Sequence, residues 1–228
     1  MHHPMRRYRI GHRGAAGHAP ENTLAAIKAG ITTGVDFVEL DVQVTRDSNL
    51  IIMHDKRVDR TTNGSGYVSE MNLCEVRELN AGDGEKVPIL SEVLELARGN
   101  VGLMLEIISP GIAEQVLSAV HTSGFKEPVI YASFLHSELL QIRQSDPAAL
   151  TLALLEGEPI DSTAFARDAR VTHVGLGMDS ITSRFVESLH KESYLVFVYT
   201  VNDKRDVAVV KGMGVDGVIS DYPEILES

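Results

Sequence analysis

Between Gly11 and Asp55 the chain reads Gly11-His12-Arg13-Gly14, then Pro20-Glu21-Asn22-Thr23, then Phe37-Val38-Glu39-Leu40-Asp41-Val42-Gln43, and closes at Met53-His54-Asp55. The central run alternates as a strand does, with successive side chains pointing to opposite faces. Val38, Leu40 and Val42 then share an apolar face, while Phe37, Glu39, Asp41 and Gln43 share the other. Two carboxylates two residues apart on one face repel each other unless a proton or a cation lies between them. No lysine or arginine lies on that face within the run, so a bound metal is the simplest remedy. Ahead of it, Tyr8 to Gly11 reads as a short strand ending at His12-Arg13. Glu21 to Thr33 reads as a helix with Leu24, Ile27 and Ile31 at helical spacing, capped by Asn22 or Thr23.

Outward from this unit, Val35 to Val44 is the carboxylate strand and Leu50 to Met53 a further short apolar strand. A turn-rich excursion from His54 to Val87 holds Thr61 to Gly66 and Ala81 to Gly84, with a short helix predicted over Asn72 to Leu79 and another over Leu90 to Arg98. From Val101 a rhythm sets in. Strands are expected at Gly102 to Ile108, Val129 to Ala132, Leu150 to Leu155, Thr172 to Leu176, Leu195 to Thr200 and Gly217 to Ser220. Helices fall between them, at Ile112 to Thr122, Ser137 to Gln144, Asp161 to Arg167, Ser183 to Lys191 and Lys204 to Met213. One helix after nearly every strand signifies βαβ units and a parallel sheet. The total of about eight strands suits an α/β TIM (β/α)8 barrel, which runs to ~250 residues. The expected organisation is a single domain over 1–228, with a small insertion at about 55–88. An open doubly wound sheet competes, but no Gly-x-Gly-x-x-Gly follows the first strand.

The formal net charge of −11 repels nucleic acid and anionic membranes, so a phosphate-bearing ligand needs a local positive feature. The lone Cys74 excludes an internal disulfide, is read as a small buried or half-buried thiol, and suits a reducing compartment. Met1 to Arg9 lacks the apolar core of a signal peptide, and no apolar run is long enough to span a bilayer. A cytoplasmic protein is expected, monomer or homo-oligomer, with no stable membrane insertion and His2-His3 in a disordered terminus.

Chemistry on such a barrel sits at the carboxyl ends of the strands. His12, Arg13, Glu39, Asp41, His54 and Glu106 all fall there, Glu106 on the same face as Met104 and Ile108. Three carboxylates make a hard, oxygen-rich site that favours Mg²⁺ or Ca²⁺ over zinc. Two histidines supply a general acid and a general base. Arg13 forks onto a phosphate oxygen or pairs with a barrel carboxylate. The set suits metal-assisted phosphoester cleavage better than acyl transfer, because no nucleophile elbow is present. Other polar residues keep two readings. Glu21 orients the metal site or favours a helix start. Thr61 to Gly66 wraps a phosphate or forms a tight turn, and Asn202 reaches the rim or caps a helix. His18 lies near the rim, His173 is read as a satisfied core histidine, and His121, His136 and His190 as solvated.

His12-Arg13-Gly14, Pro20-Glu21-Asn22-Thr23, Glu39-x-Asp41-Val42, His54-Asp55, Arg60-Thr61-Thr62-x-Gly64-x-Gly66, Leu105-Glu106-Ile107, Thr200-Val201-Asn202, Gly214-Val215-Asp216-Gly217 and Ser220-Asp221-Tyr222-Pro223 together resemble the glycerophosphodiester phosphodiesterase family. The resemblance spans nearly the whole chain. It implies a TIM barrel that hydrolyses a glycerophosphodiester, its small-molecule partner, to glycerol 3-phosphate and an alcohol. It further implies a divalent metal, Mg or Ca, on Glu39, Asp41 and Glu106, with His12 and His54 as the acid/base pair and Arg13 on the phosphate. The family's route uses the neighbouring glycerol hydroxyl as internal nucleophile, through a cyclic phosphate. Two positions depart from the family pattern. Ile108 replaces a lysine, placing an apolar group in the barrel mouth, and Tyr199 replaces a tryptophan, keeping an aromatic wall for substrate. The alternatives are a phosphoinositide-type phospholipase C, or a barrel without turnover that binds glycerol phosphate.

Overall fold

A computed structural model describes residues 7–227; the expectation for His2-His3 lies outside them. The strands are β1 (Tyr8–Gly11), β2 (Phe37–Val44), β3 (Leu50–Ile52), β4 (Gly102–Ile107), β5 (Val129–Ser133), β6 (Leu150–Leu155), β7 (His173–Gly177), β8 (Leu195–Tyr199) and β9 (Gly217–Ser220). The helices are α1 (Leu24–Thr32), α2 (Leu73–Glu78), α3 (Leu90–Ala97), α4 (Ala113–Ser123), α5 (His136–Ser145), α6 (Ala164–Asp168), α7 (Ser183–Lys191) and α8 (Lys204–Gly212). Eight parallel strands run in the order β1, β2, β4 to β9, and β1 pairs with both β9 and β2, so the sheet closes on itself. Closure excludes the open doubly wound sheet. The antiparallel β3 hangs on the end of β2, with Val42 opposite Ile52.

The alternation in β2 sorts its side chains between two cores. Phe37 joins Ile10, Met104, Leu152, Leu154, Phe197 and Ile219 inside the barrel, while Val38, Leu40 and Val42 pack outward against the helices. The barrel floor is filled by rings lying over glycines. A Cβ on Gly102 would meet the Phe37 ring at 2.7 Å, and one on Gly217 the Phe197 ring at 2.7 Å. With the floor filled in this way, a ligand enters from the opposite end, where the strands finish.

Local chemistry shifts several boundaries. α1 begins at Leu24 rather than Glu21, because Thr23 is the cap and its hydroxyl accepts from the Ala26 amide at 3.2 Å. α6 begins at Ala164 rather than Asp161, because the Asp161 carboxylate accepts from the amides of Thr163 and Ala164. The excursion after β3 carries its own small core of Ile51, Met53, Val58, Val68, Val76, Ala81 and Val87. Here Cys74 departs from expectation. α2 buries Val76, and Cys74, two residues earlier and nearly opposite on the helix, is exposed.

Candidate active site

After β1 the chain reverses through Arg13 (φ 49°) and Gly14 (φ 96°). A Cβ on Gly14 would lie 2.5 Å from the Ala26 backbone, so only glycine lets this turn seat on α1. The Arg13 amide then donates to Glu39 Oε2 at 2.8 Å. His12 is left with Nε2 4.0 Å from Glu39 Oε2 and Nδ1 2.6 Å from Asp221 Oδ1. Asp221 Oδ2 accepts from Asn202 Nδ2 at 2.5 Å, and Asn202 Oδ1 accepts from the Asp221 amide at 2.9 Å. Half-burial would raise the Asp221 carboxyl, but the bonds from His12 and Asn202 hold it below the usual range. Asn202 is thus a rim residue, and the helix cap is its neighbour Asp203.

Register brings the carboxylates together, since Asp41 stands opposite Glu106 across β2 and β4. Glu39, Asp41 and Glu106 offer one oxygen each, all within 4.8 Å of one another. Glu39 and Asp41 are 4% and 1% exposed. Burial, then Asp41 and Glu106, push the Glu39 carboxyl well above its ordinary range, and burial with Asp41 pushes Glu106 up to about 8. Positive charge reaches the cluster from outside the strand. Arg13 Nε lies 3.5 Å from Asp41 Oδ2, and Asn22 Nδ2 donates to the same oxygen at 2.7 Å. Glu39 Oε1 and Arg13 Nε remain buried without a hydrogen-bond partner. An orphaned carboxylate oxygen among three hard donors fits a divalent cation.

The second histidine is tied to this cluster through a chain of ion pairs. Arg13 bonds Glu21 at 2.6 Å; Glu21 grips Arg60 at 2.7 Å; Arg60 bonds Asp55 at 2.7 Å; Asp55 holds His54 Nδ1 at 2.6 Å. Glu21 therefore neither starts a helix nor faces the carboxylates; it clamps two arginines. Desolvation aside, the Arg60 and His54 bonds drive the Asp55 carboxyl far below its usual range. Gln43, last on the carboxylate face, reaches the carbonyls of Met53, His54 and Asp55 with its amide at 2.8, 3.1 and 2.6 Å.

His12, Glu39, Glu106, Phe134 and Tyr199 line a cavity of about 30 Å³. His54 lines a different one of about 10 Å³ with Glu21, Asn22 and Thr61, so the expected residues form one rim but not one pocket. Tyr199 donates to the Leu155 carbonyl at 3.1 Å and meets Phe134 edge to face at 6.0 Å. Burial, then Glu156 and Glu106, raise its phenol above the ordinary range. Ile108 follows the end of β4, is half-buried, and is not among the residues lining the small cavity beside Glu106.

The remaining polar residues resolve as follows. His18 pairs with Glu224 at 2.9 Å. The amides of Gly64 and Gly66 bond Thr62 and Asp59, making the Thr61 to Gly66 stretch a tight turn. His173 bonds Thr172 at 2.7 Å against the Phe197 ring, a core histidine as expected. His121 and His190 are exposed beside Asp146 and Asp216. His136 is instead half-buried, its Nε2 2.9 Å from the Leu154 carbonyl and its ring on Phe165. Sequence reasoning missed the parts of Asp221, Asp55 and Asn22. The adjacency of His54 and Asp55 was the one local signal available; the others meet their partners only in three dimensions.

Fold and site together define a TIM-barrel protein with a cluster of three carboxylates and two carboxylate-held histidines at the carboxyl ends of its strands. Residues 12–225 match the family model described as the glycerophosphoryl diester phosphodiesterase family. A glycerophosphodiester phosphodiesterase of Caldanaerobacter subterraneus is 35% identical over 231 residues, covering 95% of both chains. One of Bacillus subtilis is 32% identical, covering 97% of this chain and 86% of its own. Among solved structures, an Oleispira antarctica phosphodiesterase in complex with the product sn-glycerol-3-phosphate superposes with a TM-score of 0.89 at 27% identity, covering 96% of this chain and 94% of its own. A glycerophosphodiester phosphodiesterase of Agrobacterium tumefaciens does so with 0.82 at 28% identity, over 96% and 98%. The chain belongs to the glycerophosphoryl diester phosphodiesterase family.

Proposed function

We propose that this chain, as one barrel domain with its insertion, hydrolyses glycerophosphodiesters to glycerol 3-phosphate and an alcohol, using a divalent cation, Mg²⁺ or Ca²⁺, held by Glu39, Asp41 and Glu106. The observation that carries the reading is that Glu39, Asp41 and Glu106 each bring a carboxylate oxygen within 4.8 Å of the others, while Glu39 Oε1 is buried without a hydrogen-bond partner among the described residues. When bound, such a cation neutralises the cluster and draws charge from a phosphoryl oxygen. Arg13 Nε, 3.5 Å from Asp41 Oδ2 but in no hydrogen bond with a described residue, offers its buried donor to another of those oxygens. Its own charge is secure, because Asp41, Glu21 and Glu39 outweigh the burial that opposes it.

His12 and His54 are the acid and base. Each has Nδ1 against a carboxylate, Asp221 and Asp55 respectively, which places the Nδ1 proton on that side and turns Nε2 toward a ligand. In the first stage one imidazole takes the proton of the glycerol hydroxyl beside the phosphate. That oxygen attacks phosphorus, and the other imidazolium protonates the departing alcohol. In the second stage the roles exchange and water opens the cyclic phosphate. Tyr199 and Phe134 form an aromatic wall beside the reacting group.

No described helix is long and apolar enough to cross a membrane, and small-molecule diesters are the fitting substrates. The test is release of glycerol 3-phosphate from glycerophosphodiesters by metal-stripped protein, before and after Mg²⁺ or Ca²⁺ is restored. Turnover indifferent to stripping would overturn the metal assignment; none under any condition would overturn the activity.

A further inference from the structure

Arg60 Nη2 stands between the two halves of the site. It donates to Glu21 Oε1 at 2.7 Å and to Asp55 Oδ1 at 2.9 Å. Those are the same two oxygens that meet the site residues: Glu21 Oε1 accepts from Arg13 Nη1 at 2.6 Å, and Asp55 Oδ1 lies 2.6 Å from His54 Nδ1. The rest of the guanidinium closes both forks, Nη1 on Glu21 Oε2 and Nε on Asp55 Oδ2, each at 2.7 Å. One rigid, planar group thus fixes the planes of both carboxylates by charge-assisted bonds. Burial works against charge on Glu21, and the Arg60 and Arg13 bonds overcome it, holding its carboxyl below the ordinary range.

The surroundings separate this task from holding the fold. Arg60 is exposed, whereas Val58, two residues before it, is wholly buried in the insertion's own core. The turn carrying Arg60 is closed by its own bonds, from the Thr62 amide and hydroxyl to the Val58 carbonyl. From the barrel side, Gln43 pins the backbone of His54 and Asp55 through their carbonyls. With the backbone held on both sides, what Arg60 adds is the orientation of side chains. That orientation matters because Arg13 stands at the carboxylate cluster while His54 lines a separate small cavity with Glu21. Displacement at phosphorus needs the attacking and leaving oxygens roughly in line, each with its proton carrier in place.

We propose that Arg60 is a positioning residue of the hydrolase: through Glu21 and Asp55 it sets His54 against Arg13, and the insertion after β3 completes the site by presenting it. The inference rests on the hydrolase reading above and adds a residue that touches neither substrate nor cation. It is tested by steady-state turnover of glycerophosphocholine, with the wild type's preferred cation, Mg²⁺ or Ca²⁺, at saturation. The proteins compared are the wild type, Arg60→Ala, Arg60→Lys, Glu21→Gln and the Glu21→Gln/Arg60→Ala double variant, each also melted thermally. Arg60→Ala is expected to lower kcat ~10- to 100-fold with KM within ~2-fold, since a displacement of ~1 Å costs that much. Its melting temperature should stay at the wild-type value, because the residue is exposed. Arg60→Lys should recover no more than ~3-fold of the loss, an ammonium having charge but no fork. The double variant should be no slower than the worse single one, the mark of residues that act as a unit. Wild-type kcat in Arg60→Ala overturns the proposal. So does a raised KM at constant kcat, which would make Arg60 a substrate contact. Full recovery with lysine, losses that multiply in the double variant, or a melting temperature that falls in step with kcat overturn it equally. A wild type without turnover sinks the hydrolase reading, and this inference with it.

Discussion

At the scale of single residues, the site spends stability on function. Three carboxylates crowd a buried point, where Asp41 and Glu106 disfavour the ionisation of Glu39 and Asp41 disfavours that of Glu106. Glu39→Gln should therefore leave the metal-free protein at least as stable as the parent while lowering metal-dependent turnover ~100-fold or more, since several kcal/mol of transition-state stabilisation go with the cation. Thermal melting with chelator, set beside the assay, checks both halves; a lower melting temperature with normal activity would refute the account. Asp221 acts differently. It touches no described carboxylate of the cluster and holds His12 Nδ1 at 2.6 Å. Asp221→Asn presents an amide hydrogen to that nitrogen and turns the imidazole to the opposite tautomer, so kcat should fall ~100-fold with KM little changed. A KM effect alone would mean that Asp221 contacts substrate instead. Glu39, Asp41 and Glu106 were legible in the sequence because alternation puts each on an inward face. The path from Arg13 to His54 was not, because it passes through Glu21 and Arg60, residues 39 apart whose pairing no local period encodes.

At the scale of elements, what the sequence made plain was periodicity, and what it hid was capping and packing. The βα rhythm placed nearly every strand to within a residue or two, since hydrophobic alternation survives whatever the tertiary context. Helix starts moved where a side chain offered its oxygen to the backbone, as Thr23 and Asp161 do. Cys74 came out exposed because a six-residue helix buries a single position, Val76. The element that matters most to the site is the turn between β1 and α1. Gly14 sits at φ 96° with the Ala26 backbone 2.5 Å from where a Cβ would be. Gly14→Ala must shift the turn or the helix, and should destabilise the fold by ~2–4 kcal/mol, strain and overlap together. Because His12 and Arg13 ride on that turn, activity should fall as well. Gly111→Ala, with φ 79° and open space around it, should cost about 1 kcal/mol and serves as the control in urea titrations. Equal midpoints for the two variants would mean that the close packing on α1 is dispensable.

At the scale of the whole molecule, closure of the barrel creates an interior that treats ionisable groups by depth. Toward the catalytic face the interior holds charge against its preference. Lower in the barrel it excludes charge, as His173 shows. That residue begins β7, is 5% exposed, lies edge-on to Phe197 at 5.2 Å, and is pushed by burial down to about 4 from an ordinary 6.5. Its position in an apolar strand made the neutral reading available from sequence, and its closeness to a filled floor supplies the cause. A histidine whose pKa is lowered in the folded state binds its proton more readily when unfolded. Its contribution is therefore fully present above about 6.5 and is lost as pH falls toward 4. The difference corresponds to about 3 kcal/mol, at ~1.4 kcal/mol per pH unit across that window. His173→Gln removes the titration and keeps a side chain able to bond Thr172. Denaturant unfolding of parent and variant between pH 4 and 7 should give stability curves that converge as pH falls and separate as it rises, the parent gaining up to about 3 kcal/mol relative to the variant. Parallel curves would show that the imidazole titrates alike in the folded and unfolded chain, and that the floor admits water where this packing excludes it.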